Sequence, residues 1–272
     1  MKILLILLSI FSTIQLYCQS IELPPDSLIR KYHVNTITTY FTSDYEKNAL
    51  DNIWKFDQSG NLISKELIDK DDPSVDKDLY FYKDNKKVEH WAIGTWAKYD
   101  TLRTTFYYDE ENRLIKTVTK GKYGMFHRKL TGLHNTTSYK YLNDTICIVT
   151  YEGNNLTASE SGPDSLIYNR KKLLIYQFSK SNDLITSYVY NGQSQLVLKT
   201  IGSISDPTYI RTSDKFIYKN GLLIREEHLY TDFEDKTKQA KSEYDYINNS
   251  KGLLEKIQRP FNYNTYKYEF YK

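Results

Sequence analysis

Cysteine is almost absent, with only Cys18 and Cys147 in 272 residues, so no disulfide framework holds this chain and its stability has to come from packing. Proline (6) and glycine (11) are sparse as well, which excludes collagen-like and low-complexity classes. Neither sign of charge dominates: 37 basic and 34 acidic residues, spread along the whole chain, leave a net charge of +3. There is no basic stripe for nucleic acid or for anionic lipid. The patterns GxSxG, HExxH, CxxC and GxxxxGK are also missing. No catalytic residue and no cofactor are therefore assigned.

Long apolar runs are missing with one exception. Met1-Lys2 gives a positive start, Ile3 to Ile10 is almost uninterruptedly apolar, and the polar "QSIELPPDS" follows Cys18. That layout is a secretory signal peptide, too short for a comfortable membrane span. Residues 1–18 are read as the signal peptide, with a mature N-terminus between Cys18 and Ile21. Acylation of Cys18 is the lesser alternative, because Tyr17 stands where lipoprotein signals have a small residue. The mature chain is expected to be exported, to a periplasmic, cell-surface or secreted location, without a transmembrane segment. Cys147, flanked by Ile146 and Ile148, reads as buried filler.

What the chain has in plenty is tyrosine: 26, against 11 Phe and 3 Trp. Tyrosine favours strands and pairs an apolar ring with a hydroxyl that can stay wet, so the excess suits broad sheets. The aromatics recur. "WKFDQSGNLISKE", "YFYKDNKKVEHW", "FYYDEENRLIKT", "YVYNGQSQLVLK" and "FIYKNGLLIREE" all read aromatic, any residue, aromatic, polar turn, aliphatic pair. The spacing, near 26 to 28 residues with two short steps, fits two strands and two turns per unit.

The turns follow from the same units. Asp109 is placed to accept backbone N–H bonds, and Asn112 sits four beyond Tyr108, where a bulged hairpin needs positive φ. Gly60 holds that offset from Phe56, and Asn182 holds it from Phe178. Asn220-Gly221 is the pair expected of a two-residue type I′ turn.

Aromatic-x-Tyr-Asp followed by two residues, Gly or Asn, Arg or Asn, then Leu resembles the YD repeat of the RHS family of bacterial surface and secreted proteins. "FYYDEENRL" at 106–114 matches best and "WKFDQSGNL" at 54–62 next; later units put Lys83, Leu142, Asn169, Asn191, Lys219 and Ile247 where the Asp stands. The resemblance implies an exported setting and a wound β-sheet of hairpins, without carrying over an activity. In long members such repeats form a shell around a toxic or adhesive C-terminal segment; this chain is expected to be too short for a closed shell and to lack that segment.

The expected fold is all-β: an antiparallel up-and-down meander of repeated hairpins, about 16 to 20 strands, forming one long, strongly twisted or curled sheet. Residues 19–53 form an N-terminal lead-in and 54–272 the repeat domain. The Lys-rich end "YKYEFYK" is expected to protect a terminal edge, and 43–56 to contain the one short turn of helix.

Candidate sites are few. His33, His90, His127, His134 and His228 are scattered; His127 and His134 are the nearest thing to a ligand pair, and metal sites need three or four convergent ligands, so no metal site is assigned. Asp69, Asp71, Asp72, Asp76 and Asp78 crowd one segment, but Lys70 and Lys77 among them point to a solvated loop. "DSL", "DTL" and "DTI" tripeptides are turn-to-strand junctions that also look like O-glycan acceptor patterns, at Ser27, Thr101, Thr145 and Ser165. Exposed tyrosines, Tyr80 and Tyr107 among them, are the candidate binding residues, with an envelope protein or a glycan as partner and no nucleic acid. The reading is a non-enzymatic exported scaffold or binding module. Two carboxylates or three metal ligands converging on the inner face would instead favour a secreted hydrolase.

Overall fold

A computed structural model describes residues 23–68, 76–94, 101–123, 131–153, 164–232 and 237–271. The signal segment and most of the acidic run at 69–78 lie outside these. The chain forms two compact units. One comprises Tyr139–Tyr151 and Leu156–Tyr246, the other Pro24–Ser138, Glu152–Asn155 and Ile247–Lys272.

The described residues contain one short helix, α1 (Asp26–Lys31), and eighteen strands. The second unit carries α1, β1 (Val34–Ser43), β2 (Ala49–Phe56), β3 (Leu62–Leu67), β4 (Asp76–Lys83), β5 (Lys86–Ile93), β6 (Leu102–Tyr108), β7 (Leu114–Tyr123), most of β8 (Thr131–Tyr141), β17 (Leu254–Gln258) and β18 (Asn262–Phe270). The first carries most of β9 (Ile146–Gly153), β10 (Ser165–Tyr168), β11 (Leu174–Ser179), β12 (Leu184–Tyr190), β13 (Leu196–Ser203), β14 (Ile210–Lys219), β15 (Leu222–Thr231) and most of β16 (Gln239–Asn248). The strands run as an antiparallel up-and-down meander, the expected class.

Two expectations are corrected. Residues 49–56 are strand, not helix: Asn52, Trp54 and Phe56 are buried at a spacing of two, and that period belongs to a strand. The helix lies instead at 26–31, with Asp26 in its first turn, Arg30 and Lys31 in its last, and Ile29 buried. The C-terminal strand is also no free edge. β18 pairs along its length with β1, which also pairs with β2. That pairing satisfies the backbone groups that the lysines were expected to guard.

One irregularity repeats in six hairpins and explains the aliphatic pair. Phe56, Tyr82, Tyr108, Tyr168, Tyr190 and Tyr218 pair with Leu62, Lys87, Leu114, Leu174, Leu196 and Leu223, and the next pairing on each ladder skips one residue. The skipped residue is Ile63, Val88, Ile115, Ile175, Val197 or Ile224, always β-branched. Each is a β-bulge, which raises local twist in its own hairpin.

Tyrosine hydroxyls tie one hairpin to the next. Tyr108 Oη donates to Lys87 O at 2.8 Å, Tyr190 Oη donates to Leu174 O at 2.9 Å, and Tyr268 bonds in the same way to Leu254 O. Lys87 and Leu174 directly precede bulged residues, where the regular ladder is interrupted. A phenylalanine would fill the space and leave that bond unmade.

The turns share one design. Asp57, Asp109, Asn169, Asn191 and Asn249 each accept, through Oδ1, the N–H four residues on, at 2.7–3.1 Å. The residue three on has positive φ: Gly60, Asn112, Lys172, Ser194 and Gly252. Asn thus replaces Asp because only the acceptor oxygen is needed. Asn220 (φ 52°) and Gly221 (φ 80°) form the expected type I′ turn, and Asp84-Asn85 form another. Asn182 is displaced by one residue: β11 runs on to Ser179, so Asp183 (φ 51°) takes the left-handed position and Asn182 Nδ2 donates to Ser179 Oγ at 3.0 Å.

Candidate functional site

In the first unit, the alternation of β14 puts Asp214 and Phe216 on one face, and that of β15 puts Glu226 and His228 on the same face. Asp214 lies directly opposite His228, and Phe216 opposite Glu226. Phe216 and Glu226 are 5% and 4% exposed, so this is the buried face. His228 Nδ1 is 2.6 Å from Asp214 Oδ1 and its Nε2 is 3.1 Å from Glu226 Oε1. Tyr246 Oη donates to Glu226 Oε2 at 2.7 Å, and Lys199 Nζ lies 3.8 Å from Asp214 Oδ2. The Tyr244 ring packs at 4.8 Å from the imidazole.

Hydrogen bonds to Asp214 first and Glu226 second push the His228 pKa up to about 9, against the opposing effect of burial. An imidazolium bridging two carboxylates holds its proton at neutral pH and is no general base there. Burial, helped by the Glu226 charge, raises Tyr218 to about 12. Asp214, Glu226 and His228 bring three ligand-type atoms within 4.8 Å of one another.

Sequence reasoning missed this cluster, and the bulge is the reason. Uninterrupted pairing outward from Lys219 and Leu222 would set Asp214 opposite Glu227; the skip at Ile224 shifts the ladder by one and delivers His228 instead.

The β4–β5 hairpin of the second unit carries the same device, with its skip at Val88. There Asp78 Oδ1 is 2.6 Å from His90 Nε2, and Tyr80 stacks on His90 at 4.9 Å with rings 8° apart. Lys87 Nζ lies 5.0 Å from the Tyr80 ring and 5.3 Å from that of Phe106, and burial lowers its pKa against the pull of Asp78. Burial likewise raises Tyr80.

Tyr80 and Tyr107 do not share a surface. Tyr80 faces His90 and, beyond it, Thr104, both buried, whereas Tyr107 alternates with buried Phe106 and is 45% exposed on the opposite face. That outer face also carries Phe81 and Trp91, with ring centroids 4.9 Å apart. Arg103 lies 5.7 Å from the Trp91 ring, and both Arg103 Nη2 and Trp91 Nε1 donate to Glu89.

The remaining candidates stay apart. Ser27 is exposed in α1, Thr101 is half-buried before β6, Thr145 Oγ1 donates to Asn143 Oδ1 at 2.8 Å, and Ser165 opens β10 between Ile148 and Phe178. His134 is exposed on β8, and its supposed partner His127 lies outside the described residues.

No protein-family model matches the sequence, and no curated protein matches it. Among solved structures, the chain is similar to one in the crystal structure of TcdB2-TccC3-Cdc42, at 13% identity and TM-score 0.33, over 85% of this chain and 16% of that one. TcdB2-TccC3 without its hypervariable C-terminal region is similar at 13% identity and TM-score 0.29, over 86% and 16%. A porin-like protein from Bacteroides uniformis is similar at 12% identity and TM-score 0.28, over 87% and 98%. The chain thus spans about a sixth of the length of the toxin-complex chains it matches.

Proposed function

We propose that this is an exported, YD-repeat-like β-hairpin scaffold of the bacterial envelope or cell exterior, whose outer face binds a glycan without turning it over. The signal-type N-terminus supports export. The turn chemistry that recurs with Asp or Asn at its head supports the repeat assignment. The observation that carries the binding role is the outer face of β4–β6. There Phe81, Trp91 and Tyr107 offer ring surface beside the Glu89 carboxylate and the Arg103 guanidinium, the pairing of apolar face and hydrogen-bonding rim that a sugar ring uses.

The test is titration of the mature chain with soluble peptidoglycan fragments and lipopolysaccharide-derived glycans, read by tryptophan fluorescence and calorimetry. Saturable binding that weakens stepwise with Phe81→Ala, Trp91→Ala and Tyr107→Ala supports the proposal; binding indifferent to all three overturns it.

A second reading, a secreted hydrolase, is favoured by the approach of Asp214 and Glu226, since paired carboxylates serve glycoside hydrolysis at about 5 Å. His228 between them, protonated at neutral pH, counts against it. Glycan turnover that vanishes in Glu226→Gln would replace the binding proposal with this one.

A further inference from the structure

We propose that Asp214, Glu226 and His228 form a binding site for one divalent first-row transition-metal ion, a property independent of the glycan-binding role. The donor set is mixed, two carboxylates and one imidazole, which suits zinc, manganese, iron or cobalt better than calcium or magnesium. All three residues stand on adjacent strands with their donor atoms within 4.8 Å of one another. With bonds of about 2.0–2.2 Å to one ion, the coordinating ring nitrogen has to draw back from its present carboxylate partner while the more distant carboxylate oxygen closes in.

The surroundings fit ligands held from behind. Glu226 uses one oxygen toward His228 and has the other fixed by Tyr246, while Asp214 uses one oxygen toward His228 and has the other near Lys199. Outer-shell hydrogen bonds of this kind orient ligating carboxylates. An ion takes one ring nitrogen only, so one of the present carboxylate–imidazole hydrogen bonds gives way when it binds. Lys199 is the cation that competes for the same negative charge.

The experiment uses the mature chain after chelator treatment, with Zn²⁺ and Co²⁺ as probes and Ca²⁺ for comparison. Calorimetry should give one equivalent of Zn²⁺ per chain, thermal melts should shift upward with Zn²⁺ and not with Ca²⁺, and Co²⁺ should develop visible absorption bands. His228→Gln and Glu226→Gln should weaken Zn²⁺ binding at least 10-fold, and Tyr246→Phe by about 10-fold. Lys199→Met should tighten it, and His134→Gln, outside the cluster, should leave it unchanged. Circular dichroism separates folded variants from unfolded ones, and Lys199→Met and Tyr246→Phe keep all three ligands in place. The proposal is overturned if no saturable binding occurs below about 1 mM, or if affinity in the folded His228→Gln and Glu226→Gln variants equals that of the parent chain.

Discussion

Arg113 is bound to Asp109 three times: its N–H donates to Oδ1 at 2.7 Å, its Nε donates to Oδ2 at 2.7 Å, and its carbonyl accepts the Asp109 N–H at 3.0 Å. The first and last of these bonds recur in the turns headed by Asp57, Asn169, Asn191 and Asn249, and in the Asp57 turn Asn61 Nδ2 donates to Oδ2 at 3.0 Å as the Arg113 guanidinium does here. The repeat therefore selects an acceptor oxygen at the head of the turn and tolerates either chemistry there.

Asn249→Ala should lower stability by about 1 kcal/mol, because Oδ1 accepts from both Lys251 N and Leu253 N. Asn249→Asp should be close to neutral, since it keeps that oxygen. Urea melts check both, and equal losses in the two variants would refute the acceptor argument.

Asn112 and Asn182 should behave differently. Asn112 has φ 65°, so Asn112→Val should cost about 1–2 kcal/mol, while Asn182, beside the positive-φ Asp183, should tolerate valine with a smaller loss. Reversal of that order in denaturant melts would mean that the β11–β12 turn starts one residue earlier.

Tyr190→Phe should cost about 1 kcal/mol by leaving Leu174 O without its donor. Val189→Phe, one residue away on the outer face and 47% exposed, should change stability little. Thermal melts of the pair distinguish a hydrogen-bonding tyrosine from one kept only for its ring.

Glu66 gives a pH dependence whose sign is fixed. Its Oε1 accepts from Lys77 Nζ at 2.8 Å, and that hydrogen bond holds its pKa below the ordinary carboxylate value. The folded state therefore favours the ionised form. The contribution is complete above the ordinary pKa and is lost as pH falls through the lowered one. A partly exposed pair of this kind contributes at most about 1 kcal/mol. Melts of the parent and of Glu66→Gln should differ at pH 7 and converge toward pH 2; a gap that widens in acid would reverse the assignment.

Composition and local pattern settled a good deal of this protein. Alternating aromatics, polar turns and the near absence of helix-period segments determine an antiparallel β meander, because hairpin pairing is local and its turns need particular residues. Gly60, Asn112 and Asn220-Gly221 were legible for that reason: positive φ narrows the choice of side chain. Pairing of β18 with β1 was not legible, since it joins strands more than two hundred residues apart in sequence and no local turn sets its register. Nor was the Asp214–Glu226–His228 cluster. Which side chains meet across a ladder depends on register, and a single skipped residue, Ile224, exchanges Glu227 for His228 opposite Asp214. The sequence contains that isoleucine in plain view; only the paired strands decide that it goes unpaired, because a bulge is a property of two strands and not of one.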